Sequence, residues 1–207
     1  MAPPSRVGLV LFEGFELLDV VGPVELFAHA PELFAVELVG PSIGPVASAQ
    51  GHEVVAEVAF AEAMVCDVAM VPGGMGTRRL VTDPAFLEWL GIWASRARYV
   101  TSVCTGSGLL AAAGLLDGYR ATSNKRAFSW ASCQGETVEW VPHARWVVDR
   151  NRWTSSGVTA GMDMTLALIS SMHGEAVALE IADQVEYEWH REPCWDPFAA
   201  KHGLART

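Results

Sequence analysis

None of the four cysteines, Cys66, Cys104, Cys133 and Cys194, stands in a CxxC pair, so neither a zinc ribbon nor a redox dithiol is written into the chain. The histidines His29, His52, His143, His173, His190 and His202 show no HxxxH-type spacing, and no metal is expected. Basic runs stop at Arg78-Arg79, and 14 Lys+Arg face 24 Asp+Glu for a formal charge of −10. That balance excludes phosphate-driven binding of nucleic acid. No apolar stretch reaches the roughly 20 residues a bilayer requires. Met1-Ala-Pro-Pro-Ser-Arg runs straight into Val7-Gly-Leu-Val-Leu-Phe12 and Glu13, too short a core for a secretory signal. With cysteines so scattered, a reducing cytoplasm is the expected compartment. Internal repeats and low-complexity tracts are also missing, so no domain boundary is expected within residues 1–207.

What is present is apolar mass. Hydrophobic residues make up 51% of the 207 and charged residues 18%, enough for one sizeable core. Short β-branched runs alternate with segments of helical period, the pattern of βαβ units around a mostly parallel sheet, and the fold class is α/β. Strands are expected at Val7–Phe12, Ala35–Val39, Val68–Val71 and Tyr99–Val103. Helices are expected at Pro23–Ala30, at Pro84–Ala97 with Asp83 as N-cap, and from Gly106 to a glycine stop at Gly114. Val138–Val141, Arg145–Val148 and Arg152–Thr154 read as additional, more antiparallel strands. Two further helices, Val158–Met172 and Glu175 to about Trp189, flank His173-Gly174. The aromatic-rich segment Glu186–Phe198 reads most plainly as a packed terminal tail, with a pocket wall or a subunit interface as its alternative roles.

Three places carry chemistry. Tyr99-Val-Thr-Ser-Val-Cys-Thr-Gly-Ser-Gly108 is a buried-strand pattern that stops at a cysteine and passes into a glycine-rich helix start, the layout of a nucleophile elbow. The helix start is expected to lower the pKa of Cys104; the alternative is an inert core cysteine. In Met70-Val-Pro-Gly-Gly-Met-Gly-Thr77, Gly73 and Gly74 follow a strand end. Their backbone amides are candidates for steadying negative charge on a substrate, or the segment is a plain tight turn. In Phe15-Glu-Leu-Leu-Asp-Val-Val-Gly-Pro-Val24, Asp19 is an acid in an apolar run just after the first strand. Burial beside a thiolate would hold it protonated and able to donate to sulfur; otherwise it caps the helix that contains Pro23. Cys66 and Cys133 read as structural, and Cys194 as partly exposed. The eight tryptophans, Trp130 among them, supply material for an apolar pocket wall.

Leu18-Asp-Val-Val-Gly-Pro23, Val71-Pro-Gly-Gly74, Ser102-Val-Cys-Thr-Gly106 and Ala112-Ala-Gly-Leu-Leu-Asp-Gly118, in that order and over nearly the whole chain, resemble the DJ-1/PfpI superfamily, and most of all its isocyanide (isonitrile) hydratase branch. The resemblance implies a flavodoxin-like three-layer sandwich, usually a homodimer, with no metal or organic cofactor. It implies Cys104 as nucleophile, Asp19 as its carboxyl partner, and Gly73, Gly74 and Thr105 around a small-molecule substrate. Two positions depart from other branches. Thr105 stands where peptidase-like members place a histidine after the cysteine, and Asn124 stands where many relatives carry one. Both departures count against a Cys-His pair and leave Asp19 as the acid/base. The activity implied is hydration of isocyanides to N-substituted formamides through a Cys104 thioimidate. A glyoxalase- or deglycase-like enzyme on 2-oxoaldehydes, a cysteine-based redox sensor and a regulatory ligand-binding module are the other readings, the acidic charge counting against the last.

Overall fold

The computed structural model describes residues 3–204. The chain runs β1 (Ser5–Val10), α1 (Leu17–Ala28), β2 (Phe34–Gly40), β3 (Gly44–Ala47), β4 (Glu53–Ala56), β5 (Val58–Ala59), β6 (Val68–Val71), α2 (Thr77–Leu80), α3 (Pro84–Ser95), β7 (Tyr99–Ser102) and α4 (Gly106–Ala112). It continues through β8 (Arg120–Ala121), α5 (Phe128–Ala131), β9 (Glu139–Trp140), β10 (Trp146–Asp149), β11 (Arg152–Ser155), α6 (Ala160–His173), α7 (Glu175–Gln184) and α8 (Pro197–Lys201).

Seven strands form the main sheet in the order β10-β11-β7-β6-β1-β2-β5, every neighbour parallel except the β10–β11 pair. All four residues of β6 are buried, as a strand with helices over both faces requires. On one side α1 packs on β2 and against α6; on the other α4 packs on β6 and against α3. The result is the α/β flavodoxin-like sandwich. The chain winds from β1 outward to β2 and then returns to β6 on the other side of β1, so a crevice opens above the carboxyl ends of the central strands.

Local chemistry explains most of the boundaries. The Asp83 carboxylate accepts from the N–H groups of Ala85 and Phe86 at 3.1 and 3.2 Å, Pro84 occupies the first turn, and the helix buries Phe86, Leu90 and Trp93. Gly114 takes a φ of +71° just past α4, as a glycine stop does.

Three expectations are revised and one element is added. The first helix begins at Leu17, six residues before Pro23, which lies inside it. The proline removes one helical hydrogen bond and costs about 3 kcal/mol, yet burying Val20, Leu26 and Phe27 returns about 1.5–3 kcal/mol for each side chain. The segment around Glu139–Trp140 does not join an antiparallel ribbon; it pairs in parallel with β8 in a separate two-stranded sheet. The Thr122 hydroxyl, donating to Val141 O at 2.8 Å, ties the two together. A hairpin of β3 and β4 is an addition. Finally, α7 ends at Gln184, because the next residues turn back onto α6. There the Tyr187 hydroxyl and His190 N–H donate to Asp163 Oδ1 at 3.0 and 2.9 Å, and the Trp189 indole donates to Asp163 O at 3.1 Å.

Candidate active site

Cys104 sits at the junction of β7 and α4 with a φ of +57°, a left-handed conformation that costs a non-glycine residue about 1–3 kcal/mol. Three hydrogen bonds hold it there. The Cys104 N–H donates to Ser156 O at 3.2 Å, and the hydroxyls of Ser123 and Ser107 donate to Cys104 O at 3.0 and 3.2 Å. The elbow expected from the sequence is therefore present, built from β7, β8, α4 and the end of β11.

Asp19 lies in the first turn of α1 and is fully buried. Its helix is steered toward the elbow by the Glu16 N–H, which donates to Gly73 O at 2.8 Å. The Gly73 N–H in turn donates to Asp19 Oδ2 at 2.8 Å, while Oδ1 is buried with no hydrogen-bond partner. Burial holds the Asp19 carboxyl well above the usual carboxylate range; the Gly73 amide pulls it down less, the Glu16 charge pushes it up and the Cys104 side chain lowers it slightly. Asp19 therefore lies beside Cys104 and gives α1 no cap, Glu16 holding the N-cap position.

The Cys104 thiol is not lowered. Burial pushes it up, as does the Asp19 carboxylate when charged, against opposing pulls from the Thr105 N–H and the Asn124 side chain, with a further small push from Glu16. At 6% exposure, loss of hydration outweighs the start of a helix of only seven residues. Burial therefore leaves the two groups holding at least one proton between them at neutral pH, and placing it on Asp19 removes the like-charge repulsion that a thiolate would meet.

Gly73 and Gly74 hold positions different from those expected. The Gly73 amide is committed to Asp19, and the Gly74 amide donates to Thr105 Oγ1 at 3.0 Å, so neither is aimed freely at a substrate. They position Asp19 and Thr105 instead. Only glycine fits at 73, where a Cβ would lie 2.5 Å from Thr105 N. The Thr105 hydroxyl gives α4 no cap and is tied into the Gly74–Thr77 turn, accepting from the Gly74 N–H and lying 3.3 Å from Thr77 Oγ1.

A pocket of about 770 Å³ opens over the sulfur, lined by Cys104, Thr105 and Gly74 together with Glu16, Arg78, Asn124, Arg126 and Trp130. Glu16, Arg78 and Arg126 carry no sequence signal of function. Asn124 approaches the sulfur from the loop after β8. Gly157 stands against both, since a Cβ there would lie 2.2 Å from Asn124 Nδ2 and 2.9 Å from Cys104 Sγ. Arg78 is visible in the sequence only as half of a basic pair. Cys66 is buried as expected, whereas Cys133 is exposed, its thiol donating to Ser129 O at 3.1 Å. It sits on the outer turn after α5, away from the core. Among the described residues no cluster of His, Cys, Asp or Glu is arranged to hold a metal ion, and no helix is long and apolar enough to cross a membrane.

With this geometry in hand, residues 5–171 match the model of the DJ-1/PfpI family. The chain belongs to the DJ-1/PfpI family. A curated DJ-1/PfpI relative, isonitrile hydratase of Pseudomonas putida, is 39% identical over 88% of this chain and 78% of its own length. The HTH-type transcriptional regulator GbdR of Pseudomonas aeruginosa is 33% identical over 89% of this chain, which spans about half (51%) of that longer protein. A crystal structure of a ThiJ/PfpI family protein from Pseudomonas syringae superposes with a TM-score of 0.81 at 32% identity, covering 89% of this chain and 76% of the other. These likenesses account for the fold; what the site does rests on its own chemistry.

Proposed function

We propose that the protein hydrates organic isocyanides, R–N≡C, to N-substituted formamides without a cofactor. The observation that carries this reading is the pairing of an elbow cysteine with a fully buried acid whose Oδ1 has no partner beyond the neighbouring Cys104 side chain. A proton on that oxygen needs an acceptor, and the terminal carbon of an isocyanide, which carries a lone pair, is one. The 39% identity to isonitrile hydratase supports the reading.

In the first step Cys104, as the thiolate with the pair's one proton on Asp19, bonds through sulfur to the terminal carbon as Asp19 delivers that proton to the same carbon, giving the thioimidate R–N=CH–S–Cys104 and an Asp19 carboxylate. That carboxylate then takes a proton from water as the hydroxide adds to the carbon, and returns the proton to nitrogen. In the last step the tetrahedral hydroxyl gives its proton to Asp19 and the C–S bond breaks. R–NH–CHO leaves, with Cys104 and protonated Asp19 restored. The Thr105 N–H and the Asn124 side chain, which favour charge on sulfur, ease both attack and departure. Asn124 carries no titratable proton, so one acid serves every transfer.

Two finer points belong to the same proposal. All four cysteines are free thiols, which suits a reducing cytoplasm. By family likeness the enzyme works as a homodimer, to be read from mass by light scattering.

The test is formamide production from an aromatic isocyanide by wild type, Cys104→Ala and Asp19→Asn. Turnover by wild type should fall about 10⁴-fold or more in Cys104→Ala and about 10²–10⁴-fold in Asp19→Asn. No turnover by wild type carrying reduced Cys104 rejects the proposal. Lactate from methylglyoxal would then favour the 2-oxoaldehyde reading, and selective oxidation at Cys104 without turnover the sensor reading.

A further inference from the structure

Two guanidinium groups line the catalytic pocket of this acidic protein, and neither has a carboxylate partner. Arg78 and Arg126 are absent from every ion pair among the described residues. The carboxylate on the same wall, Glu16, is engaged elsewhere: its Oε1 accepts from Gln50 Nε2 at 2.8 Å. What sets these two apart from other arginines without an ion pair, such as Arg96 and Arg98, is their place in the wall of the pocket that holds Cys104.

Arg78 is held ready. Its guanidinium lies flat over the Trp130 ring, 3.6 Å from the centroid, a cation–π arrangement. One N–H donates to Thr77 Oγ1 at 2.8 Å, and the Thr77 hydroxyl donates to Gly74 O at 2.7 Å, which fixes the arginine to the turn beside Cys104. A guanidinium has five N–H donors in a planar fork matched to a carboxylate. Only one of them is used by a side chain here. The group is half-buried, and its partial desolvation is opposed by attraction to the Cys104 charge, so it shares the electrostatic field of the reacting sulfur.

We infer that Arg78, stacked on Trp130, binds an anionic group of the substrate, so that the isocyanides this enzyme prefers are those bearing a carboxylate. Arg126, exposed at the rim, adds attraction on the way in. The inference rests on the hydratase reading for the reacting end of the molecule and adds the chemistry of the other end.

The experiment compares kcat/KM for isocyanoacetate and para-isocyanobenzoate with those for their neutral methyl esters, in wild type, Arg78→Met and Arg78→Lys. The carboxylate-to-ester ratio cancels any effect of Arg78 on Cys104 itself. Wild type should favour one or both carboxylates by about tenfold or more, as a charge-assisted contact provides, and the preference should shrink with added NaCl. Arg78→Met should bring the ratio to about one, with Arg78→Lys between the two. A wild-type ratio at or below one in both pairs, or a ratio unchanged in Arg78→Met, overturns the inference while leaving the hydratase reading intact. Should no isocyanide be turned over, the hydratase reading fails instead. The clamp is then read by calorimetry with N-formylglycinate against its methyl ester: tighter binding of the anion, lost in Arg78→Met, upholds it, and equal binding overturns it.

Discussion

Asp19 and Asp163 are both fully buried aspartates on helices of the same layer, and their surroundings differ in kind. Asp163 is supplied with partners. Arg145 Nε donates to its Oδ2 at 2.7 Å, and the Tyr187 hydroxyl and His190 N–H donate to its Oδ1, so a buried charge meets a buried counter-charge and every oxygen is served. Asp19 has one amide on one oxygen and nothing on the other, with the Glu16 charge and the Cys104 sulfur nearby. The first arrangement anchors the C-terminal segment to α6. The second raises the carboxyl's hold on a proton beside the sulfur, an arrangement suited to chemistry.

Breaking the satisfied site should have the larger effect on stability. Asp163→Asn leaves the Arg145 guanidinium, 6% exposed, without its counter-charge, and should cost about 3–5 kcal/mol in chemical denaturation. A cost below about 1 kcal/mol would erase the contrast between the two aspartates.

The next effect is a pH dependence at the other aspartate. Because Asp19 titrates higher folded than unfolded, the unfolded chain gives up this proton near pH 4 while the folded chain retains it. Any stability tied to that proton is complete below the unfolded pKa and is lost as pH rises through the folded one. In Asp19→Asn the amide donates from the place of the protonated oxygen and does not titrate. The variant should therefore gain on wild type steadily from about pH 4 upward, as read from paired denaturation curves at pH 4 and pH 8. A difference that stays flat across that range would place Asp19 in the same class as Asp163.

The smallest effect tests the edge of the catalytic pair. Asn124→Ala removes a side chain that favours charge on Cys104 and should lower kcat by about tenfold, a conventional loss for one hydrogen bond to a charged group. Stability should move less, since Asn124 also gives up only an acceptor for the Ala127 N–H. Unchanged kcat would confine the polar support of the sulfur to the Thr105 amide.

Much of this molecule is legible along the chain. The alternation of apolar runs, the capped start at Asp83-Pro84, the glycine stop at Gly114 and the cysteine at a strand-to-helix passage are all local signals, set by hydrogen bonds and torsions within a few residues. Asp19 is legible too, as a charge placed where solvent should not reach. Pro23 misleads, because a local penalty is overridden by burial that only the packed helix receives. The parallel pairing of β8 with β9 is silent, since two residues per strand leave no periodicity to read.

The sequence alone thus determined the α/β class and the elbow at Cys104, for these follow from short-range propensity and a hydrophobic pattern repeated down the chain. Tertiary structure alone decided that burial raises the Cys104 thiol, that the Gly73 amide serves Asp19 and not the substrate, and that Asn124, Gly157, Trp130 and an unpaired Arg78 surround the sulfur. Those outcomes depend on which surfaces lose water and which donors are already occupied, and both are set by contacts between segments far apart in the chain.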